Sequence, residues 1–335
     1  MRIAQTQGHW VDRLITSIIE AWRRLPRSHS LSEYTMSTSG PRNPRPQSAI
    51  RATRRAVAAC ATALQSFARP GLLGAALAIG AAGAPALAAD EIVAGSITNS
   101  PPMISYAADG TTLQGVIVDL AAAMSKQMGR TIVFKSIPFP GLLPAMQAKH
   151  IDITFTLMND TAERQKLLDF VDYFNLGTKL LIKKGNPEHV DGLETLCGKT
   201  VSTVQGSTQV TLVAQANAKC AETGKPAIEN LQYAQPADAR LQVQTGRVAA
   251  FLGNSPVMVY LASTAGEGTV FDVVRDKEYQ PEPVGIGVAK DNTALRDTLQ
   301  KALNALIADG SYLKILAKHG VEGGALKSAT INMGR

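Results

Sequence analysis

The chain has 335 residues and a formal charge of +7, but this charge is unevenly placed along it. Residues 1–89 carry 11 Lys and Arg against 3 Asp and Glu, whereas residues 90–335 carry 23 against 24. Since the basic excess belongs to the N-terminal segment alone, the larger part of the chain gives no electrostatic reason to expect a nucleic-acid partner.

Residues 1–89 have the composition of an N-terminal extension that ends in a secretory signal peptide. A polar, basic stretch is followed at 71–90 by an apolar core and a small-residue cleavage site that ends at Ala88. Basic, apolar and small-residue regions in this order are typical of a signal peptide, so we expect cleavage near Ala88 and a periplasmic protein. Translation could start at Met1 or at Met36.

The use of cysteine agrees with export. Without the N-terminal extension the chain keeps two cysteines, Cys197 and Cys220. An even number of cysteines in an exported chain favours one disulfide bond between them. The alternative is a pair of buried free thiols.

From residue 91 onward, strand and helix patterns alternate along the chain. Short β-branched or apolar runs predict strands at 91–97, 131–137, 151–156, 178–184, 200–205, 227–233, 249–254, 270–275 and 284–290. Helical periodicity predicts helices at 116–128, 141–149, 161–168, 207–219, 236–245, 256–263, 293–308 and 311–318. The pattern at 293–308 is the clearest, because it forms one apolar stripe of Leu295, Leu299, Ala302, Leu303, Leu306 and Ile307. Strands separated by helices predict an α/β fold with mainly parallel sheets.

The same part of the sequence lacks catalytic and metal-binding motifs. Its histidines, His150, His189 and His319, are far apart and do not have the spacing of metal ligands. It contains neither a G-x-S-x-G nucleophile elbow nor a G-x-x-x-x-G-K-[ST] phosphate loop. The sequence therefore predicts no metal, no cofactor and no catalytic residues, which argues against an enzyme.

Several segments, taken together in their order and spacing, resemble the family 3 solute-binding proteins, the periplasmic amino-acid receptors of ABC importers. The segments are GVIVDLAAAM at 115–124, FPGLLPAMQAKHID at 139–152, DTAERQKLLDFVDYF at 160–174, LCGKTVSTVQGSTQ at 196–209, TGRVAAFLGNSPVMVY at 245–260 and ALNALIADGSYLKILAKHG at 302–320. The resemblance covers nearly the whole chain after residue 90.

The resemblance implies a type II periplasmic-binding-protein fold, an α/β fold with two lobes joined by two hinge strands. The first lobe would comprise residues 90–176 and 282–335, and the second lobe residues 177–281. The two crossings are expected near 174–178 and 279–284. The expected disulfide then lies wholly within the second lobe.

The resemblance also gives Arg164 a role, because the arginine of this T-x-x-R pattern pairs with the ligand's α-carboxylate in the family. A guanidinium presents two parallel donors to a carboxylate, and a closed cleft admits little competing water. The alternative is a surface ion pair with Asp169 or Asp172. Asp160 and Glu163 are spaced as a capping box for the helix that carries Arg164, a role that Thr161 could share.

By the same resemblance, seven other residues are expected at the ligand: Met103, Phe139, Leu157, Asn159, Ser207, Thr208 and Asn254. Ser207 and Thr208 begin a helix, whose N-terminal N–H groups favour an anion; an ordinary Ser N-cap is the alternative. Phe139 and Met103 occupy positions of apolar pocket walls, and each could instead belong to the core.

Asn254 departs from the family pattern, in which an aspartate usually holds the ligand's α-ammonium. An amide can accept a hydrogen bond from an ammonium but brings no opposite charge. We therefore expect an amino acid held by neutral acceptors, or a carboxylate that lacks a cationic amine. The apolar neighbours of the site favour an uncharged side chain over a basic one.

These expectations describe a monomeric, extracytoplasmic solute-binding protein that delivers an amino acid or amino-acid-like carboxylate to an ABC permease. One alternative is an enzyme of the cyclohexadienyl or arogenate dehydratase type, since some relatives on the same fold are dehydratases. That chemistry needs a general acid near the leaving hydroxyl. A second alternative is a soluble sensor that acts on a membrane receptor.

Overall fold

The structure is a computed structural model and describes residues 91–334. The expected signal peptide and its cleavage site at Ala88 lie outside the described residues. No helix within the described range has the length and apolar character that crossing a membrane requires.

The described chain forms one large mixed sheet and one small sheet. In chain order the strands are β1 Ile92–Ser96, β2 Asn99–Ser100, β3 Ile104–Tyr106, β4 Leu113–Gln114, β5 Ile132–Ser136, β6 Ile153–Thr154, β7 Leu168–Lys183, β8 Thr200–Val204, β9 Glu229–Tyr233, β10 Ala250–Asn254, β11 Phe271–Val273 and β12 Tyr279–Ala289. The large sheet has the order β5-β1-β6-β12-β7-β10-β8-β9, with β11 also paired to β7, and the small sheet has the order β2-β3-β4.

Helices pack on both sides of the large sheet. They are α1 Val116–Met128, α2 Leu142–Gln147, α3 Ala162–Gln165, α4 Thr208–Glu222, α5 Pro236–Gln244, α6 Ser255–Thr264, α7 Thr293–Ala308 and α8 Ser311–Lys318. The bounds of α1, α7 and α8 are the predicted ones. In α7 the predicted apolar stripe, which includes Leu295, Leu299 and Leu303, is buried against the sheet, as expected for a helix with one apolar face.

Two long strands, β7 and β12, connect the halves of the sheet. The start of β7 pairs antiparallel with residues 284–289 of β12, and its later part pairs with β10 and β11. The C-terminal end of β12 pairs in turn with β6. We call β5, β1 and β6 the first half of the sheet and β10, β8 and β9 the second half; both long strands pass from one half to the other.

The two strands approach each other closely where they pass between the halves. A Cβ atom on Gly177 would collide with the side chain of Glu278 and the carbonyl of Tyr279, and the Gly177 N–H donates to Glu278 Oε1 at 2.7 Å. Pro281 and Pro283 lie in the part of β12 that faces the Gly177 region of β7, with which β12 pairs. Proline is tolerated at Pro283 because the group it offers to the neighbouring loop is its carbonyl, which accepts the Asp160 N–H at 2.9 Å. It is tolerated at Pro281 because the pairing with β7 is irregular between Tyr279 and Glu282.

A separate hydrophobic core lies on one face of the second half, and it includes Leu180, Val201, Leu212 and Leu252. The predicted disulfide is present at the edge of this core and joins Cys197 to Cys220, 23 positions apart. Closing a loop of this size stabilises a fold by about 3 kcal/mol in the chain-entropy account. Both sulfur atoms belong to the second half, so the bond does not tie the two halves together.

The structure differs from the sequence prediction in several places; for example, strands β2, β3 and β4 were not predicted, and β12 begins at Tyr279 instead of residue 284. The large sheet is mixed, because β7 runs antiparallel to β10, β11 and β12. The helix predicted at 161–168 is limited to α3, since the segment from Leu168 onward pairs with β12 and continues as β7. The strand predicted at 151–156 is limited to β6.

Candidate functional site

The loop at 157–161, between β6 and α3, is held on the connecting strand β12. The Gly285 N–H donates to Met158 O at 3.2 Å, and the Asp160 N–H donates to Pro283 O at 2.9 Å. Asn159 forms an isolated β-bridge with Val284. The loop is therefore fixed at the passage between the two halves of the sheet.

The loop then enters α3, which carries Arg164. Thr161 is the N-cap, since its Oγ1 accepts the Arg164 N–H at 3.3 Å. The capping box expected from Asp160 and Glu163 is therefore wrong. The Asp160 carboxylate faces into the fold, where it accepts Gln165 Nε2 at 2.8 Å and bonds to the C-terminal segment.

The Arg164 guanidinium links the two halves of the sheet. Its Nη1 donates to Asn159 O at 2.8 Å, and its Nη2 donates to Gly206 O, in the loop before α4, at 3.0 Å. Its Cζ lies 5.4 Å from the centre of the Phe139 ring, a cation–π arrangement. The cation thus contacts a backbone carbonyl from each half.

Within residues 91–334, Arg164 forms no ion pair. Burial lowers the pKa of Arg164 to about 10, while the charges of Glu282 and Asp160 act in the opposite direction; the group stays protonated at neutral pH. The alternative of a surface ion pair is wrong, because Asp169 is paired with Lys290 and Arg296 at 2.9 and 2.8 Å. A buried cation whose partners are neutral carbonyls is suited to a carboxylate ligand.

The start of α4 faces Arg164 from the second half. Ser207 is the N-cap residue of α4, but its hydroxyl makes no capping bond, and this buried Oγ has no hydrogen-bond partner within the described residues. Thr208 Oγ1 donates to Asn159 Oδ1 at 3.1 Å. A buried hydroxyl without a partner costs about 1–3 kcal/mol, so the Ser207 hydroxyl is free to bond to a ligand. The side-chain bond of an ordinary Ser N-cap is absent here, and the ligand role of Ser207 stays a prediction.

Asn254 lies beside this group at the N-terminus of α6. Its Oδ1 accepts Gln209 Nε2 at 3.3 Å, and the same Nε2 donates to Thr178 Oγ1 at 2.9 Å. The amide oxygen of Asn254 is thus partly used, whereas its NH₂ group donates to no residue in the part of the chain that the structure describes. Gln209, which sequence reasoning missed, orients this amide; its position two residues after Ser207 in the first turn of a helix was the available signal.

A cavity of about 40 Å³ lies between the two halves of the sheet. Its described lining is mainly apolar and includes Ile97, Phe139, Leu157, Val204, Phe251, Val257 and Met258; the polar residues are Ser100, Asn159, Ser207, Gln209 and Asn254. None of the described lining residues carries a charge. Charge at this site comes from Arg164, next to the cavity.

The structure brings seven of the eight expected residues together. Five of them line the cavity, as given above, while Arg164 and Thr208 join the group through their bonds to Asn159. Met103 is the exception. It is fully buried in the core of the first half, next to α1, where its carbonyl accepts the Ile117 N–H at 2.9 Å. We therefore leave Met103 out of the site.

A pair of buried carboxyl groups, Asp160 and Asp172, lies behind the loop. Both side chains are fully buried. Burial and the nearby charge of Asp160 together raise the pKa of Asp172 to about 7. Asp172 Oδ2 accepts Thr330 Oγ1 and the Met333 N–H, both at 3.1 Å. The loop that leads into α3 thus lies next to a titratable group.

Comparison with known proteins matches this chain to one family. The profile of the bacterial extracellular solute-binding proteins, family 3, matches residues 92–322. The L-arginine-binding protein of Pseudomonas aeruginosa is 30% identical over 253 residues, which is 74% of this chain and 95% of that protein.

Two solved structures are similar in fold. An ancestral arginine-binding protein bound to glutamine is 31% identical, with a TM-score of 0.62 over 69% of this chain and 97% of that one. An ancestral amino acid-binding protein, described as a precursor of cyclohexadienyl dehydratase, is 26% identical, with a TM-score of 0.60 over 68% of this chain and 95% of that one.

We predict that Asp172→Asn flattens the dependence of stability on pH. Because the folded pKa of Asp172 lies near 7 and its ordinary value is 3.8, its contribution is full below about pH 4 and is lost as the pH rises through 7. Asparagine cannot ionise, so between pH 5 and pH 8 the free energy of unfolding of the variant should rise by a few kcal/mol relative to that of the wild type. Each unit of pKa shift corresponds to about 1.4 kcal/mol. Urea unfolding at the two pH values measures this.

Asp169→Asn is the matched control with the opposite sign. Burial tends to raise the pKa of Asp169, but bonds from Asn332, Lys290 and Arg296 outweigh it and lower this pKa to about 2. Its stabilisation is present above about pH 4 and is lost as the pH falls towards 2, so the variant should lose stability at pH 8. A decline with rising pH that persists in Asp172→Asn would contradict the role given to Asp172.

Proposed function

Because the chain belongs to the bacterial extracellular solute-binding proteins of family 3, we propose that it captures an amino acid or amino-acid-like carboxylate and delivers it to an ABC permease. The ligand lies between two lobes, formed by residues 90–176 with 282–335 and by residues 177–281. The single observation that carries the proposal is the partly buried Arg164 guanidinium, which contacts both halves of the sheet and, within the described residues, has no carboxylate partner.

The carboxylate binds Arg164 in place of its present backbone partners. A planar guanidinium gives two parallel N–H donors to one carboxylate, and charge-assisted hydrogen bonds are about twice as strong as neutral ones. The Ser207 hydroxyl, which is buried without a partner, donates to the same group from the second lobe. The N-terminus of α4 adds favourable N–H groups.

The ligand enters when the lobes separate. A cavity of about 40 Å³ is too small for an amino acid, since pockets that hold small ligands have volumes of about 300–1,000 Å³. Bending of β7 and β12 near Gly177 moves the lobes apart, because these two strands are the connections between the halves within residues 91–334. Binding by both lobes then favours the closed arrangement.

The ligand's side chain is neutral. Apolar residues dominate the described lining, and Asn254 supplies an amide where an acid would hold a cation. The Pseudomonas aeruginosa relative is an L-arginine-binding protein, whereas the ancestral protein was solved with glutamine. A neutral amino acid of the glutamine class, or a carboxylate without an amine, is the ligand this cavity favours.

The protein binds its ligand without converting it. The structural similarity to a dehydratase precursor keeps one enzymatic alternative open, in which a general acid would protonate a leaving hydroxyl. The described residues that line the cavity offer no titratable side chain for this step. Incubation with prephenate or arogenate should therefore leave the substrate unchanged.

The protein acts as a monomer in the periplasm after a signal peptide is removed near Ala88. The apolar core and small-residue site at 71–90 support this assignment. N-terminal sequencing of protein purified from the periplasm of an expression host should begin at Ala89 or Asp90. A first residue before 71 would contradict the assigned cleavage site.

We predict that Arg164→Met weakens binding by about 2–5 kcal/mol, as expected for truncating one partner of a buried charge pair. A thermal-shift panel of amino acids, keto acids and small carboxylates first identifies a ligand, which raises the melting temperature of the folded state. Calorimetry with that ligand then measures the loss. Arg164→Lys keeps the charge without the planar fork and should recover part of the affinity; unchanged affinity in Arg164→Met would exclude the proposed contact.

Asn254→Asp tests where the ligand's amine lies. A carboxylate at this position would supply the missing opposite charge, so affinity for α-amino acids should rise, while affinity for the matching keto acids should fall through charge repulsion. Gln209 can still donate to an aspartate, so the local bond is kept. An equal change for amino and keto acids would place the amine elsewhere.

A further inference from the structure

The C-terminal residues 329–334, which we call the C-terminal strap, fold back over the start of β7. The Phe170 N–H donates to Asn332 Oδ1 at 2.8 Å, and the Asn332 N–H donates to Phe170 O at 3.1 Å. Ile331 forms a β-bridge with Val171. The strap is thus added to the edge of the strand that leads away from Arg164.

Three buried carboxylates anchor the strap. Asp169 accepts Asn332 Nδ2 at 3.0 Å. Asp172 accepts bonds from two strap residues, as described above. Asp160 Oδ2 accepts the Gly334 N–H at 2.7 Å. The sequence of the strap supplies donors at the positions where the loop and β7 present acids.

The last described residue of the strap bonds to residues that precede and follow Arg164 in the sequence. Gly334 bonds to Asp160 through its N–H, and its carbonyl accepts Gln165 Nε2 at 2.9 Å. Asp160 and Gln165 also bond to each other. Asp160 directly follows Asn159, whose carbonyl accepts the Arg164 guanidinium. One strap residue therefore joins the residues that precede and follow the cation.

The fit at this point is tight. A Cβ atom on Gly334 would collide with the backbone carbonyl of Asp160. The strap also lies beyond residues 92–322, the part that matches the family profile. The contact is therefore not among the features that the family match itself covers.

We propose that the C-terminal strap positions the ligand-binding arginine: it holds residues 159–165, the end of the loop and α3, in place so that the Arg164 guanidinium faces the second lobe. This inference rests on the proposed function. A binding group that is already ordered loses less conformational entropy when the ligand arrives, so the strap raises affinity without touching the ligand. A strap that only stabilised the first lobe would change the melting temperature and leave affinity unchanged.

The test compares four variants with the wild type: a chain that ends at Lys327, Asp160→Ala, the two changes combined, and Asn217→Ala. Asn217 is the matched control, because its side chain also makes two backbone bonds, at 3.1 and 2.6 Å to Ile228, but in the second lobe. Calorimetry with L-glutamine and L-arginine measures affinity at a temperature where circular dichroism shows each variant folded. Hydrogen exchange of residues 157–167 reports on the loop without any ligand.

Removal of the strap and Asp160→Ala should each weaken affinity by about tenfold and speed exchange at 157–167. If Asp160 acts through the strap, the combined variant should lose no more than the larger single effect, since coupled changes are not additive. Asn217→Ala should lower the melting temperature and keep affinity within twofold. Should the shortened chain fail to fold, Asp160→Ala against Asn217→Ala gives the same comparison.

Two results would overturn the proposal: affinity within twofold of the wild type in the shortened chain, or unchanged exchange at 157–167. If the wild type binds neither amino acid, the glutamine-class ligand of the proposed function fails, while the exchange experiment still decides whether the strap orders the loop. The two failures are therefore distinguishable.

Discussion

The buried guanidinium of Arg164 is the interaction on which the rest of the site depends. Moving a charge out of water is costly unless other groups replace the lost solvent. Here Asn159 O and Gly206 O supply those groups, one from each half of the sheet. The same cation therefore holds the halves together and offers the strongest attraction for an anion. Under the proposed function, capture of a solute and approach of the two lobes would use the same donors.

The other side chains at the cavity decide what accompanies the anion. Ser207 supplies a hydroxyl and Asn254 an amide, and the remaining described lining is mainly hydrocarbon. Such a surface is poorly suited to a second charge, since burying an unpaired ion costs far more than burying a neutral amide. The neutral surface around Asn254 is thus the feature behind the proposal that the ligand's side chain is uncharged.

Sequence reasoning succeeded where the signal is local. The stripe at Leu295, Leu299 and Leu303 predicted α7 with its observed bounds, and the T-x-x-R pattern pointed to Arg164, whose ligand-binding role stays a prediction. It failed where residues far away in the sequence determine the local structure. Asp160 looks like a helix cap beside Glu163, yet its partner Gly334 is 174 positions away. No short pattern could show that Leu168 begins a strand, because β12 supplies the pairing more than a hundred residues later, or that Met103 points into the core.

The strand order of the large sheet has a consequence for biosynthesis. β12 lies between β6 and β7, although it is the last strand along the described chain. A ribosome must therefore finish residues 279–289 before β6, which also pairs with β1, finds its second neighbour, and helices α7 and α8 emerge later still. Pairings so distant along the chain form slowly, because loop-closure entropy is lost before the contacts repay it. The part of the sheet that joins the two halves therefore stays incomplete in a nascent polypeptide until residue 289 has been made, although β1 can pair with β5, and β8 with β9, before that.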